Sequence, residues 1–357
     1  MTAALLLGQG GPEMLEVRHD VPVPSPGPDE VLLRVAACGM NNTDINTRVG
    51  WYSKSVSGPT EAVAPGSDSS DGAWGGSSIA YPRIQGADPS GRVVAVGAET
   101  DRSLIGRRAL VDCWIRDKAD PNRRELAQYL GSELDGGFAQ YCAVPGRNVY
   151  PHDSPLTDVE LASFPCSWST AEHMLHRVQL GAGQSVAITG ASGGVGTALV
   201  SLARLRGATV TAIAGQTKLD AVAALGADHL VPRQNPDAVA AALEANGGPF
   251  HVVADVVGGA DTPRWFEALR RGGRYVTAGA IAGPIVDLDL RTLYLHDLEL
   301  YGATVYQPDV FSALVGYIAR GEISPIVGGT YPLEQIHQAQ EAFAAKDHVG
   351  AMVLRIP

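Results

Sequence analysis

The run Gly190-Ala191-Ser192-Gly193-Gly194-Val195-Gly196 constrains this chain more than any other segment. It follows the short apolar stretch Ser185-Val186-Ala187-Ile188-Thr189 and opens a helical pattern from about Val195 to Arg206. Thr209-Val210-Thr211-Ala212-Ile213 then reads as a second strand. Glycines at this spacing let the backbone turn tightly and approach a pyrophosphate, whose charge meets the free N–H groups and partial positive charge of a helix N-terminus. A tight turn without a ligand is the alternative. Strand, turn, helix and strand in this order make a dinucleotide-binding fingerprint, which a lone glycine triplet would not.

The alternation continues downstream. A helix is expected at Lys218 to Leu225, a strand around Leu230 and a helix near Ala238 to Ala245, with further strands at Val252 to Val256, Tyr275 to Ala278 and Leu298 to Tyr301. Regular βα alternation predicts a doubly wound parallel sheet of the Rossmann type, covered by helices on both faces. Upstream, to about residue 150, the chain reads as mainly β: Val31 to Val35, Arg92 to Val96 and Ala109 to Val111 are strands, separated by Pro and Gly clusters such as Pro22 to Pro28. The tail from Ile326 to Ile356, after a helix near Phe311 to Arg320, looks like a helix and a strand returning to this first part. The expected domains are therefore 1–150, completed by 325–357, and 151–324. The stretch from Ser53 to Ser78 is rich in Gly, Ser and Ala and lacks periodicity, so it reads as a mobile loop, either a solvated insertion or a lid.

The end of the second strand bears on which dinucleotide is held. NAD enzymes normally place Asp or Glu there to accept hydrogen bonds from the ribose hydroxyls. Here the residues are Gly215-Gln216-Thr217-Lys218, with no carboxylate before Asp220. An absent acid removes repulsion against a 2′-phosphate, and Lys218 and Thr217 offer a charge and a hydroxyl. Lys218 could equally be a solvated lysine in a first helical turn. NADPH is the expected cofactor. The formal charge of -11 argues against general nucleic-acid binding. Met1 to Val17 carries no basic segment followed by an apolar run, and no stretch is long and apolar enough to cross a bilayer, so a cytoplasmic protein without membrane contact is expected. Cys38, Cys113, Cys142 and Cys166 form no CxxC pair and are expected to be free thiols.

Together these segments resemble the medium-chain dehydrogenase/reductase superfamily, and within it the zinc-independent quinone oxidoreductase and enoyl reductase branch. The resemblance runs through Leu15-Glu16-Val17, Glu30-Val31-Leu32, Ala37-Cys38-Gly39-Met40-Asn41-Asn42-Thr43-Asp44, Gly91 to Gly97 and Asp135-Gly136-Gly137-Phe138-Ala139. It continues through Ser169-Thr170-Ala171, the glycine turn, Leu225-Gly226-Ala227-Asp228 and Gly350-Ala351-Met352-Val353-Leu354. It implies a GroES-like β-rich catalytic domain beside the Rossmann domain, a small-molecule substrate and a homodimer joined near Leu298 to Tyr301. It further implies cofactor contacts at Thr170, at Val256, and at Gly279 and Ala280, besides Gly190 to Gly196 and Gly215 to Lys218.

The superfamily's alcohol dehydrogenases hold catalytic zinc through a Cys, a His and a later Cys or Asp. The matching positions here are Asn41, Ala87 and Cys166. One thiolate cannot hold zinc, which wants three protein ligands and a water, so no metal is expected. His173 and His176 are read as surface-facing helical histidines. Without zinc, the substrate must be polarised by hydrogen bonding. Asn41 stands where the quinone oxidoreductases carry an asparagine facing substrate, and its amide either donates to a substrate oxygen or satisfies loop backbone. Tyr52 matches the tyrosine of the enoyl thioester reductases thought to supply a proton, and is otherwise a pocket-wall aromatic. Thr43 is a further candidate catalytic residue, although Thr43 and Asp44 also suit helix N-capping. Ala351 stands where many relatives have lysine. The expected activity is NADPH-dependent hydride transfer to an enone, enoyl or quinone acceptor. The rivals are an alcohol dehydrogenase or carbonyl reductase of the same superfamily, and a sensor or non-redox biosynthetic protein that retains an NADPH site.

Overall fold

Residues 1–63 and 79–357 are described by a computed structural model. Their contacts divide the chain into two units. The first comprises residues 1–56, 63–166 and 311–357, and the second residues 57–62 and 167–310. Of the Ser53 to Ser78 loop, residues 64–78 lie outside the described residues; Thr60–Ala62 form a single 3-10 turn, and the Thr60 N–H donates to the Ile281 carbonyl at 3.2 Å.

The first unit is β-rich and GroES-like. Its longest strand, β1 (Glu30–Met40), runs into the helix α1 (Asn42–Val49). β1 pairs antiparallel with β2 (Asp88–Val96), placing Gly39 opposite Asp88. Its other partners are Tyr141–Pro145 and the C-terminal strand Ala351–Arg355. The tail is richer than expected: Val327–Pro332 is a strand ahead of the helix Ile336–Ala345, and it lies parallel to Ala351–Arg355. Two glycines, Gly328 and Gly329, interrupt its apolar pattern, which hides the strand from a reading of periodicity. Arg48 ties α1 down, donating to Gln340 Oε1 at 3.1 Å and to the Gly10 carbonyl at 2.9 Å, so its role is structural.

The second unit is the doubly wound Rossmann sheet. In chain order it contains β3 (Ser185–Ile188), α2 (Gly194–Leu205), β4 (Thr209–Ala214), β5 (His229–Pro232), β6 (Phe250–Asp255), β7 (Leu269–Thr277), α3 (Leu290–Leu295) and β8 (Glu299–Gly302). All neighbours are parallel, in the order β5-β4-β3-β6-β7-β8. The central strands are short continuous apolar runs because both their faces are covered. Phe250, Val253, Trp265, Phe266 and Leu298 anchor the core on one face. On α2, Ala198, Leu199, Val200, Leu202 and Ala203 are buried, and the helix ends before Gly207, whose φ of 75° takes the left-handed conformation that glycine tolerates.

The helix expected at Lys218 to Leu225 is shorter and offset. Gln216–Lys218 form a 3-10 turn, and the α-helix runs only over Leu219–Ala223. His173 is also not on the surface: it is 2% exposed, with its ring edge-on to Tyr306 at 6.1 Å, whereas His176 is exposed. Helical spacing alone could not reveal that Tyr306, far along the chain, covers one of the two. Among the described residues no helix is long and apolar enough to cross a membrane.

Candidate active site

In the first unit the site residues gather where β1 ends. Asn41 leaves β1 with extended φ and ψ and is the N-cap of α1. Its N–H donates to Asp44 Oδ2 at 2.8 Å, the reciprocal half of a capping box, so Asp44 sits at the third helical position. Thr43 is therefore inside the helix and does not cap it. Its Oγ1 is buried and has no hydrogen-bond partner among the described residues. A buried hydroxyl without a partner costs free energy unless a ligand or water completes it.

The Asn41 side chain faces an acid. Asn41 Nδ2 donates to Asp88 Oδ2 at 2.9 Å, and the Cys166 N–H donates to Asp88 Oδ1 at 2.8 Å. Gly39 makes this possible, because a Cβ there would lie 2.8 Å from Asp88 Oδ2 and 2.3 Å from the Ala162 carbonyl oxygen. Asp88 thus holds one N–H of the Asn41 amide. The Tyr129 hydroxyl donates to Cys166 Sγ at 3.0 Å. Burial pushes the Asp88 carboxyl up to about 8, opposed by the Asn41 hydrogen bond and reinforced by the Asp44 charge. Burial likewise raises Asp44 to about 7, against the backbone hydrogen bonds from Asn41 and Gly86.

The donor set does not suit catalytic zinc. Ala87 contributes no ligand atom, Asn41 presents a neutral amide bonded to Asp88, and Cys166 accepts from Tyr129. Among the described residues no group of three or more His, Cys, Asp or Glu side chains is placed to hold a metal.

Tyr52 follows Gly50, whose φ of 75° ends α1 in the left-handed conformation. Its ring meets Trp51 edge-on at 5.6 Å. Burial raises the Tyr52 hydroxyl above its ordinary range, with a smaller lowering from its hydrogen bond to Asn46. The phenol therefore stays protonated throughout the neutral range. Asn41, Thr43 and Tyr52 lie on α1 and its two ends, all in the first unit. The candidate cofactor residues, Thr170 among them, all lie in the second.

There the glycine turn fits a dinucleotide pyrophosphate. Gly190 has a φ of 59°, and a Cβ at Gly196 would lie 2.1 Å from the Gly190 carbonyl oxygen. Gly193 is the N-cap of α2, and Ala191 N–H donates to the Ile213 carbonyl at 3.0 Å. The amides of Gly194, Val195 and Gly196 occupy the first helical turn, where no intrahelical acceptor exists. Ser192 lies within the turn. On the far side Gly279 approaches Val256, such that a Cβ at Gly279 would stand 3.1 Å from the Val256 carbonyl oxygen; Ala280 packs on Gly258 in the same manner, 2.9 Å from a Cβ placed there.

At the end of β4, Gly215 is ringed by Arg233, Gln234 and Lys218: a Cβ there would be 4.0 Å from Arg233 Nε, 4.0 Å from Lys218 Cδ and 3.9 Å from Gln234 Nε2. The Gln216 N–H donates to Gln234 Oε1 at 3.1 Å. Arg233 was missed in the sequence because it follows a different strand, β5, and only the parallel pairing of Ala214 with Pro232 brings it alongside.

Residues 27–154 match the family model of the alcohol dehydrogenase GroES-like domain, and residues 194–320 that of the zinc-binding dehydrogenase. A solved structure of a Sinorhizobium meliloti protein, described as a candidate alcohol dehydrogenase, is 46% identical, with a TM-score of 0.90 over 100% of this chain and 97% of that one. This chain belongs to the medium-chain dehydrogenase/reductase superfamily. It is 26% identical to mouse quinone oxidoreductase over 99% of this chain and 97% of the relative. A crotonyl-CoA carboxylase/reductase structure is 26% identical, with a TM-score of 0.84 over 99% of this chain and 88% of that one. As a superfamily member the protein is an oxidoreductase.

Proposed function

We propose that this oxidoreductase is an NADPH-dependent, zinc-independent reductase of an activated C=C bond, in an enone or enoyl compound, or of a quinone. The observation that carries the reading is the Asn41–Asp88 pair. Where zinc enzymes of the superfamily place metal ligands, this chain has an amide held by a carboxyl group, an alanine, and a thiol hydrogen-bonded to Tyr129. When bound, NADPH supplies the hydride. The chain's own residues polarise the acceptor: the Asn41 amide and the Thr43 hydroxyl donate to a carbonyl oxygen as negative charge builds on it. The Tyr52 hydroxyl supplies the proton to the resulting enolate.

Residues Gly190 to Gly196 hold the pyrophosphate, and Thr170, Val256, Gly279 and Ala280 face the nicotinamide half. Lys218, Thr217 and Arg233 take the 2′-phosphate beside Gly215 and Gln216. Arg233→Ala is expected to raise the NADPH dissociation constant about tenfold, as loss of a charge-assisted hydrogen bond does, while leaving NADH binding unchanged. Fluorescence titration measures both, and an equal effect on the two dinucleotides would remove the 2′-phosphate assignment. The protein is further read as a cytoplasmic homodimer joined along β8.

A second reading, an alcohol dehydrogenase or carbonyl reductase of the same superfamily, draws support from the description of the Sinorhizobium meliloti relative as an alcohol dehydrogenase. The deciding experiment measures zinc in the purified protein and NADPH oxidation with quinones, enones and enoyl thioesters. Turnover without stoichiometric zinc is expected. Stoichiometric zinc together with turnover only on alcohols or ketones would overturn the reading. Tight NADPH binding without turnover on any acceptor would point instead to a sensor or a non-redox role.

A further inference from the structure

The reaction outlined above does not use the buried carboxylate at the end of β6. Asp255 is 1% exposed and ends β6, one of the strands at the centre of the sheet. It accepts from Thr189 Oγ1 at 2.5 Å, from the Tyr275 hydroxyl at 2.6 Å, and from the backbone N–H groups of Val257 at 2.8 Å and Gly258 at 3.1 Å. Thr189 Oγ1 in turn accepts from the Val256 N–H at 3.2 Å. Burial, the Asp255 charge and the hydrogen bond to it all raise the Tyr275 hydroxyl above its ordinary range, so it remains a donor.

The partners come from the ends of three strands, β3, β6 and β7. Thr189 precedes Gly190 and the glycine turn. Val257 and Gly258 form the turn after β6. Tyr275 lies on β7, two residues ahead of Thr277, whose hydroxyl donates to the Gly279 carbonyl at 3.0 Å. The loops also touch where the carboxylate ties them: a Cβ at Gly190 would lie 3.0 Å from Val256 Cγ2 and 3.1 Å from Val257 Cγ2. These are the C-terminal ends of β3, β6 and β7, the edge over which an open parallel sheet binds its ligand.

A buried negative charge under a site for a pyrophosphate is electrostatically unfavourable, and an apolar side chain would avoid that cost. The arrangement is intelligible if the carboxylate's geometry serves the site. Only an ionised carboxylate accepts from all these donors at once, since an amide of the same shape must turn its own N–H groups toward one of them. In the sheet order, β4 and β5, which carry the residues proposed for the 2′-phosphate, lie on one side of β3, whereas β6 and β7 lie on the other.

We propose that Asp255 is the positioning residue for the nicotinamide half of the dinucleotide: it locks the three strand-end loops at the spacing that this half must cross. The proposal rests on the reading that the glycine turn binds the dinucleotide. It does not depend on the choice between NADPH and NADH.

The test is titration calorimetry on Asp255→Asn, with Tyr275→Phe and Thr189→Val as milder variants that each remove one donor and keep the charge. NADPH and NADH are the whole-dinucleotide probes, and 2′,5′-ADP and ADP report the adenosine half alone. Asp255→Asn is expected to weaken the bound dinucleotide by about tenfold or more, with its adenosine fragment changed by less than about twofold. The milder variants are expected to lose affinity in the same selective manner, by a smaller factor, and they decide the matter if Asp255→Asn does not fold. Equal losses for dinucleotide and fragment would mean a general structural role and overturn the proposal, as would no loss in any folded variant. A wild-type protein that binds the fragments and neither dinucleotide would overturn the underlying reading as well.

Discussion

At the scale of single residues, the site turns on how a carboxylate sets an amide. In the sequence Asn41 is one of two replaced zinc-ligand positions, and its partner Asp88 is 47 positions away. Asn41→Ala removes the proposed donor, and Tyr52→Phe removes the proposed proton source. Each is expected to lower kcat by about 10²-fold or more while leaving the NADPH dissociation constant within about twofold. Unchanged turnover in both variants would remove the catalytic assignment. The buried acids also make stability depend on pH. Asp44 and Asp88 have folded values of about 7 and about 8, above their ordinary range. A raised carboxylate value means that the folded state holds protons the unfolded chain has lost. Their contribution is fully present at acid pH and declines as pH rises toward the folded values. Thermal unfolding between pH 5 and 8 should therefore become less steeply pH-dependent in Asp88→Asn; an unchanged slope would show that Asp88 does not carry it.

At the scale of elements, the glycine turn is a packing device before it is a binding device. The close approach of Gly196 to the Gly190 carbonyl lets α2 begin at Gly194, one tight turn after β3 ends at Ile188. Gly196→Ala would force a Cβ to within 2.1 Å of that oxygen. The expected result is a loss of about 1–3 kcal/mol, read as a lower thermal midpoint, with dinucleotide affinity reduced by more than stability alone explains. Normal affinity in the folded variant would mean that the turn does not bind the pyrophosphate.

At the scale of the whole molecule, β8 is an edge strand, hydrogen-bonded among the described residues of the sheet only to β7. Beside it α3 carries Leu290, Tyr294 and Leu295, exposed by 64%, 62% and 52%, and Leu300 on β8 is also exposed. Open strand edges flanked by large apolar side chains invite pairing. If a second copy covers this face in the homodimer read above, Leu295→Arg combined with Leu300→Arg should shift the molar mass seen in light scattering from dimer to monomer. A wild-type monomer, or a double variant that stays dimeric, would rule out this edge.

The sequence by itself determined the Rossmann unit, the order of its strands along the chain and the residues of the glycine turn. Those features rest on local periodicity and on backbone conformations that only glycine tolerates. The β-rich unit was legible as strands, yet the strand at Val327–Pro332 and the burial of His173 were not, since each depends on partners distant in the chain. The pairing of Asn41 with Asp88, the approach of Arg233 to Gly215 and the convergence of Thr189 and Tyr275 on Asp255 were decided by tertiary structure alone. Hydrogen-bonding partners of a buried polar group are chosen by sheet register and strand order, and no spacing within one segment encodes them.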